Sequence, residues 1–287
     1  LFFGYLWLYD NHRLMTIPAT FLTWTLLFLG VDFFYYWFHR MSHDINALWA
    51  AHIVHHQSED YNLSVALRQS WFQSAFSWVF YLPLAIAGFD PVMFLTISSF
   101  NTLYQFWIHT RVIGKMGPFE YVFNTPSHHR VHHGTDAKYI DKNHGGTLII
   151  WDRLFGTFCE EEMEPHYGIT TPLKSWNPWW ANFHYWNDLF RSAAAVKGLR
   201  SLLNVFLKSP DWLASQQTSN VKPVMSQQYR KFDVHPSPAM NIYILVHFTF
   251  ILTIATLVIF GYSGMAWFQS LPVSAFIIFR SEERRVG

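Results

Sequence analysis

Three short histidine clusters are the part of this sequence best suited to chemistry. They read HRMSH at residues 39–43, HIVHH at residues 52–56 and HRVHH at residues 129–133. Neutral imidazole is a common metal ligand, and spacings of three and four residues place side chains on one face of a helix. The eight histidines of these clusters exceed the needs of one ion, since a mononuclear oxygenase uses two histidines and a carboxylate. The spacing therefore favours a dinuclear metal centre.

Imidazole nitrogens alone leave the identity of the metal open. Zinc, copper, iron and nickel all accept imidazole, and hydrolysis at a zinc ion would need an open coordination position, a water and a general base. Nothing in the spacing excludes such a zinc site. The predicted metal ligands are His39, His43, His52, His55, His56, His109, His129, His132 and His133.

Residues outside the clusters bear on the same centre. His109 follows an apolar segment and is positioned to complete the set of ligands, while His144 and His166 are alternatives. Asp32 is a carboxylate inside an apolar run, on the helical stripe that also carries His39 and His43. We expect it to accept a hydrogen bond from a ligand imidazole, and the alternative is a purely structural hydrogen bond. The histidines that we do not expect to be ligands are His12, His184, His235 and His247.

Apolar segments separate and position the clusters. Residues 17–38 contain one charged residue and are long enough to span a membrane. Residues 71–88 and 91–107 form a predicted helical hairpin, because the Gly-Phe-Asp-Pro sequence between them breaks helices. Residues 242–260 and 265–279 are two further apolar segments. The predicted fold is all-α, a multi-pass membrane helical bundle with a cytosolic, histidine-rich di-metal cap.

The two polar regions that hold the clusters, residues 39–70 and 108–240, must share one side of the membrane. The hairpin allows this, since it supplies an even number of crossings. Arg13 stands alone on the opposite side, and basic residues near helix ends favour the cytosol. On the histidine side these residues are Arg40, Arg68, Arg111, Lys115, Arg230 and Lys231.

Composition agrees with a lipid environment and excludes other classes. Aromatic residues make up 20% of the chain and charged residues 14%, against about 25% charged residues in a typical soluble domain. A net charge of +1 argues against nucleic acid binding, and a single cysteine, Cys159, excludes an internal disulfide and a cysteine-based zinc site. The chain begins at Leu1 inside an apolar run, so we expect it to be a fragment.

We divide the chain into four regions. Residues 1–175 are the predicted catalytic core, and residues 176–240 are a cytosolic or interfacial amphipathic region in which tryptophans mix with basic side chains. An ordinary amphipathic core helix is the alternative for residues 176–208. Residues 241–279 are predicted to form the C-terminal membrane helices, and residues 280–287 are a charged tail to which we assign no function.

The order of the clusters, HxxxH, HxxHH and HxxHH around an apolar hairpin, resembles the fatty acid hydroxylase and sterol desaturase superfamily. Further words carry a resemblance to its alkylglycerol monooxygenase family, which cleaves glyceryl ethers. These words are DFFYYWFHRMSH at 32–43, LWAAH at 48–52, SEDYN at 58–62, QFWIHT at 105–110, NTPSHH at 124–129 and IIWDRLFGT at 149–157. The resemblance is close over residues 5–175.

The resemblance implies a di-iron, tetrahydrobiopterin-dependent enzyme of the endoplasmic reticulum. It implies that O2 hydroxylates the carbon next to an ether oxygen, so that an ether lipid yields a fatty aldehyde and a glycerol derivative. Asp44 stands where the family carries Glu, and His144 stands where a Tyr usually precedes two glycines. If the acidic residue orients a ligand, Asp44 is a candidate catalytic residue whose shorter side chain shifts the geometry.

Two other functions remain open from the sequence. The first is a sterol or fatty-acyl hydroxylase or desaturase that takes electrons from cytochrome b5 or a nicotinamide-linked reductase. The second is a non-catalytic membrane protein that binds zinc or another metal for structure or transport. Apart from Asp32 and a few Ser, Thr and Asn residues, the predicted spans are apolar, which is unlike a transport pathway.

Overall fold

The computed structural model describes residues 2–217, 231–232 and 237–261. In these residues the only β pairing is two isolated bridges, and 3₁₀ segments occur at Trp78–Tyr81 and Gly117–Tyr121. The α-helices are α1 (Phe2–His12), α2 (Phe21–Asp44), α3 (Asn46–Ala50), α4 (Ile53–His56), α5 (Leu63–Ala66), α6 (Gln73–Ser77), α7 (Leu82–Ala87), α8 (Pro91–Trp107), α9 (Pro126–His132), α10 (Ile150–Phe155), α11 (Pro178–Ala195), α12 (Leu199–Leu207), α13 (Pro210–Gln217) and α14 (Pro238–Gly261). The predicted all-α fold is confirmed for this part of the chain.

Helix α2 carries the first histidine cluster directly from an apolar segment. It begins at Phe21, later than the predicted residue 17, because Thr20 caps it: the Thr20 and Thr23 side chains each accept a hydrogen bond from the other residue's backbone N–H. The helix then continues past residue 38 to Asp44. His39 and His43 therefore lie on its last two turns, on one face.

The predicted helical hairpin is present, with an interrupted first arm. That arm consists of α6, a 3₁₀ turn and α7, and the second arm is α8. Gly88 adopts a left-handed φ of 105°, where a Cβ atom would collide with the carbonyl oxygen of Met15. Asp90 then caps α8 by accepting hydrogen bonds from the backbone N–H groups of Val92 and Met93. The turn thus depends on the Gly88 to Pro91 sequence, as predicted.

The chain forms two compact units. The first comprises Leu1–Pro172 and His184–Ser226, and the second comprises Leu173–Phe183 and Gln227–Gly287. The first unit contains two hydrophobic cores. One joins α1, α2, α7 and α8 around Leu27, Val31 and Leu84, and the other joins α3 to α11–α13 around Ala50, Leu189 and Val205. The histidine clusters belong to this first unit.

Two helices in the described residues are long and apolar enough to cross a membrane. They are Phe21–Asp44 in the first unit and Pro238–Val258 in the second, and only 6% of the second is buried. Gln73–Ala87 is a shorter apolar helix. The predicted segment at residues 265–279 and the tail at 280–287 lie outside the described residues. Residues 176–208 include all of α11 and α12.

Candidate metal centre

The structure brings all nine predicted histidine ligands together in two adjoining buried groups. The five-histidine group is His39, His43, His52, His56 and His132, and the four-histidine group is His55, His109, His129 and His133. Within each group the candidate ligand nitrogens all lie within 4.8 Å of one another. The groups meet where the rings of His56 and His133 stack with centroids 4.4 Å apart. This is the arrangement expected of a dinuclear centre.

The second and third clusters each contribute histidines to both groups. The second cluster contributes two to the five-histidine group and one to the four-histidine group, and the third cluster does the reverse. In the second cluster the first and fifth positions, His52 and His56, face the five-histidine group, and the fourth position, His55, faces the other group. In the third cluster the first and fifth positions face the four-histidine group, and the fourth, His132, faces the five-histidine group. Positions i and i+4 share a helical face, whereas adjacent residues diverge by about 100°. HxxHH therefore supplies two ligands to one group and one to its neighbour.

Hydrogen bonds from Nδ1 orient five of the nine rings and leave Nε2 of each available to a metal. The Nδ1–H groups of His39, His55, His109 and His132 donate to the backbone carbonyls of residues 144, 68, 105 and 142, at 2.7–3.1 Å. The Nδ1 atom of His52 lies 3.0 Å from Oε1 of Gln73 and donates in the same way. A proton on Nδ1 leaves Nε2 of a neutral ring with a lone pair. The partners thus prepare five Nε2 atoms as ligands.

Contacts between Nε2 atoms show that the centre fits metal ions. These atoms lie 3.1 Å apart in His39 and His52, 3.2 Å apart in His55 and His109, and 2.9 Å apart in His109 and His129. With the proton on Nδ1, the first two contacts pair lone pairs and cannot be hydrogen bonds. Two nitrogens that ligate one ion at about 2.1 Å lie roughly 3.0–3.4 Å apart. Buried Nε2 atoms of His43, His132 and His133 also lack a hydrogen-bond partner.

Burial keeps these imidazoles neutral, as metal binding requires. It lowers the pKa of His129, His132 and His133 well below the usual value, and the charge that neighbouring imidazoles would carry lowers it further. Burial also lowers the pKa of His109 to about 4. Near neutral pH the rings therefore present lone pairs and not protons, which suits iron, zinc, copper or nickel.

Asp32 does not bond to an imidazole, contrary to the first expectation for this residue. Its carboxylate accepts hydrogen bonds from the backbone N–H groups of Thr147 and Leu148 and from the indole of Trp151, at 2.7–3.0 Å. The His39 ring is instead held by the carbonyl of His144. Asp32 therefore acts on the loop at residues 144–148, which corresponds to the structural alternative.

A second buried carboxylate, Asp152, holds the other end of the same loop. It accepts hydrogen bonds from the backbone N–H groups of His144 and Gly145, each 2.7 Å long, and from the hydroxyl of Thr157. A Cβ atom on Gly146 would lie 2.7 Å from the Tyr35 ring and 3.0 Å from the Asp32 carboxylate, so this position requires glycine. The loop is thereby fixed where its first carbonyl meets His39. Sequence reasoning noted Asp152 only as part of the word at residues 149–157.

The remaining candidates lie at or beyond the edge of the centre. Asp44 is half exposed, and its carboxylate lies 3.7 Å from the guanidinium of Arg40. His144 is buried with its ring centroid 5.0 Å from that of His43, yet it falls outside both groups. His166 instead pairs with Asp136 at 2.9 Å. Asp141, which sequence reasoning missed, places a carboxylate oxygen 3.3 Å from Nδ1 of His43.

The histidines not expected to be ligands lie elsewhere where they are described. The ring of His12 contacts Trp7, that of His184 contacts Tyr185, and that of His247 stacks on Tyr243. His235 lies outside the described residues.

A cleft connects the surface mainly to the five-histidine group. Its buried part is lined by His43, His56, His132 and His133. The same cleft is lined by acidic and hydroxyl side chains and by apolar ones, namely Asp44, Asp141, Asp211, Thr135, Thr170, Ser209, Trp49, Ile140, Ile169 and Pro210. Three of its four histidines belong to the five-histidine group and one to the four-histidine group. The cleft therefore offers a route from the surface to the five-histidine group in particular.

The helical scaffold and the paired histidine groups are those of a helical metalloprotein, and comparison with known proteins indicates which family it resembles. Residues 24–157 match the fatty acid hydroxylase family. The chain is also similar to alkylglycerol monooxygenases, as its short sequence motifs predicted. It is 42% identical to that of Xenopus tropicalis over 255 residues and 44% identical to that of Homo sapiens over 253 residues, spanning 88% and 87% of this chain.

The chain covers 57% of the length of each of these two relatives. A more distant relative is the ornithine lipid hydroxylase OlsE of Rhizobium tropici, 30% identical over 128 residues, which are 44% of this chain and 39% of the relative. No solved structure matches the chain. The curated relatives thus agree on oxidation of lipids.

Proposed function

We propose that this protein is an O2-dependent monooxygenase that cleaves the O-alkyl bond of alkylglycerols. One observation carries the proposal: two adjoining groups of buried, neutral imidazoles lie inside the part of the chain that matches the fatty acid hydroxylase family. The identity to alkylglycerol monooxygenases over most of this chain supports ether lipids as the substrate class.

The proposed reaction hydroxylates the carbon beside the ether oxygen. One oxygen atom of O2 enters a C–H bond and the other leaves as water, and the two electrons and two protons that this requires come from tetrahydrobiopterin. The hydroxylated product is a hemiacetal, whose C–O bond breaks as the hydroxyl proton moves to the ether oxygen. The products are a fatty aldehyde and a glycerol derivative, and all atoms of the ether are retained in them.

In this proposal the nine histidines hold two iron ions, one in each group. When bound, the iron supplies the redox chemistry that activates O2. The surrounding residues keep the imidazoles neutral through burial and direct their Nε2 atoms inward through the Nδ1 hydrogen bonds. The cleft beside the five-histidine group gives reactants access to it. Asp44 also lines this cleft, where its carboxylate lies 3.7 Å from the guanidinium of Arg40.

We place the protein in the membrane of the endoplasmic reticulum, with several crossings and the histidine groups on the cytosolic side. The apolar helices Phe21–Asp44 and Pro238–Val258 support membrane insertion. The excess of basic residues near helix ends on the histidine side supports the orientation. Residues 1–175 are the catalytic core in this proposal, followed by the interfacial region at 176–240 and the C-terminal membrane helices at 241–279.

The test is ether cleavage by membranes that contain the full-length protein. We expect O2-dependent release of fatty aldehyde from an alkylglycerol, which stops when tetrahydrobiopterin is removed and is absent in the His132→Ala variant. Cleavage that does not depend on the pterin would contradict the proposed cofactor. Turnover of a sterol or fatty acyl substrate with cytochrome b5 or a nicotinamide-linked reductase, and none of ethers, would favour that alternative. One bound zinc ion without turnover would favour a non-catalytic metal protein.

A further inference from the structure

We propose that Arg130 and Glu161 are positioning residues that hold the four-histidine group together. Arg130 lies inside the third cluster, between His129 and His132. Its guanidinium donates from Nε and Nη2 to the two carboxylate oxygens of Glu161, each at 2.6 Å. Both side chains are nearly enclosed, with 7% and 11% of their surface exposed. A bidentate pair of this kind fixes both the distance and the angle between the guanidinium and the carboxylate.

The remaining guanidinium nitrogen of Arg130, Nη1, connects the Arg130–Glu161 pair to the segment that follows His109. Nη1 donates to the backbone carbonyls of Thr110 and Ile113, at 3.0 and 2.7 Å. These carbonyls belong to the segment that directly follows His109. Arg130 itself belongs to α9, which carries His129 and ends beside His133. One side chain therefore ties the segment of one ligand to the helix of two others, and all three ligands belong to the four-histidine group.

Glu161 belongs to an acidic segment, residues 160–164, whose other glutamates form ion pairs that can be compared with the Arg130–Glu161 pair. Glu160 pairs with Lys115, Glu162 with Lys138 and Glu164 with Arg111, and all these side chains are well exposed. Exposed pairs of this kind contribute little, since water screens them. Removing Glu161 instead leaves the enclosed Arg130 guanidinium unpaired and removes two of its four hydrogen bonds. Within this segment, Glu161 is thus the residue whose loss reaches the metal centre.

The five-histidine group is held by other contacts. His39 is held by the carbonyl of His144, His52 by the side chain of Gln73, and His132 by the carbonyl of Lys142. Only one of its members, His132, lies on α9. Loss of the Arg130–Glu161 pair should therefore weaken binding of one ion and spare the other. This inference rests on the proposed two-ion function of the histidine groups.

The experiment compares Glu161→Gln and Arg130→Lys with Glu160→Gln, the same substitution one residue earlier in an exposed pair. Metal-free full chain in detergent is titrated with cobalt(II), and absorption of the bound ion resolves the binding steps. We expect wild type and Glu160→Gln to bind two ions. We expect both test variants to bind one ion 10–100-fold more weakly, roughly the cost of losing an outer partner of a metal ligand, with the other step unchanged.

Three outcomes would overturn the proposal. They are unchanged binding of both ions in the two test variants, equal weakening of both ions, and unfolding of both metal-free variants. The last result would mean that the pair holds the fold and not the site, and circular dichroism of each variant detects it. Ether cleavage plays no part in this readout. A wild-type protein that binds two ions but cleaves no ether would contradict the proposed function and leave the positioning role standing.

Discussion

The five-histidine and four-histidine groups share two of their three sequence clusters and differ in how they are held and reached. The five-histidine group is anchored by the loop that Asp32 and Asp152 fix, whereas the four-histidine group is anchored by the Arg130–Glu161 pair. Three of the four histidines in the cleft belong to the five-histidine group. The two histidine groups are thus supported by different contacts, and we expect that each can be disturbed separately.

Removing a ligand should have the largest effect in either group. His52→Ala takes a ligand from the five-histidine group and His109→Ala takes one from the four-histidine group. We expect each to lower ether cleavage by more than the roughly 100-fold that loss of an outer partner can cost. The double variant should be no worse than either single one, because residues that act as a unit are not additive.

The effect of losing one histidine is measured as ether cleavage and as bound metal per chain in the purified variants. His166→Ala is the control, since His166 is half exposed and pairs with Asp136 outside both groups. Wild-type turnover in either single variant would show that one group is dispensable, and the comparison would fail.

Acid should destabilise the metal-free protein through both groups alike. Burial lowers the pKa of His52 to about 3 and that of His109 to about 4, against about 6.5 for an exposed histidine. Between these values the unfolded chain binds more protons than the folded one, so stability falls as pH decreases from about 6.5 towards 4. Burial raises the pKa of Asp152 to about 6 and also raises that of Asp141, which acts in the opposite direction, but the buried histidines with a lowered pKa outnumber these carboxyl groups.

Chemical unfolding of the metal-free protein in detergent at pH 7 and pH 5 tests this. We expect lower stability at pH 5, and a smaller decrease for the His52→Ala and His109→Ala variants, since each lacks one of the titrating groups. A decrease that only one of these variants reduces would show that the two groups differ in burial, contrary to the structure.

Asp152→Asn should mirror the effect of Glu161→Gln on the other ion. An amide offers one acceptor oxygen, so at least one hydrogen bond from His144 or Gly145 is lost and the carbonyl that holds His39 shifts. We expect roughly 10–100-fold weaker binding of the ion in the five-histidine group, measured by cobalt(II) titration. Asp188→Asn, an exposed substitution on α11, is the control. Weakening of the same ion by Asp152→Asn and Glu161→Gln would mean that the anchors are not independent.

Gly146→Ala should give the smallest of these effects, on stability. A Cβ atom there would lie 2.7 Å from the Tyr35 ring and 2.9 Å from the Asn101 amide oxygen. Overpacking of this kind costs about 1–3 kcal/mol, which chemical unfolding resolves. Gly114→Ala is a matched control, because a Cβ atom at Gly114 meets nothing within 4 Å. Equal stability of the two variants would mean that the loop at residues 144–148 is not tightly packed.

The sequence predicted the helical fold and the meeting of three clusters, because both follow from local periodicity. Spacings of three and four residues show which histidines share a face, and an apolar hairpin returns the chain to the same side. The position of His109 at the end of the apolar hairpin also predicted that it lies near the clusters. These inferences need only rules that act within one helix or one turn.

The division of the histidines between the two groups could not be predicted in the same way. Whether His55 or His56 faces a given ion depends on how two very short helices, α4 and α9, are rotated against α2 and α8. The partners of Asp32 and Arg130 are likewise set by packing, since they lie 115 and 31 residues away in the chain. A carboxylate in an apolar run signalled importance, but not that its partner would be a loop.

We infer that the two adjoining histidine groups each hold an iron ion for lipid oxidation. Metal analysis of the full-length protein, purified from membranes with its turnover intact, tests this most directly. We predict two iron ions per chain, and one fewer when a ligand is removed from either group. About one zinc ion per chain, with no iron and no O2-dependent turnover, would contradict the account.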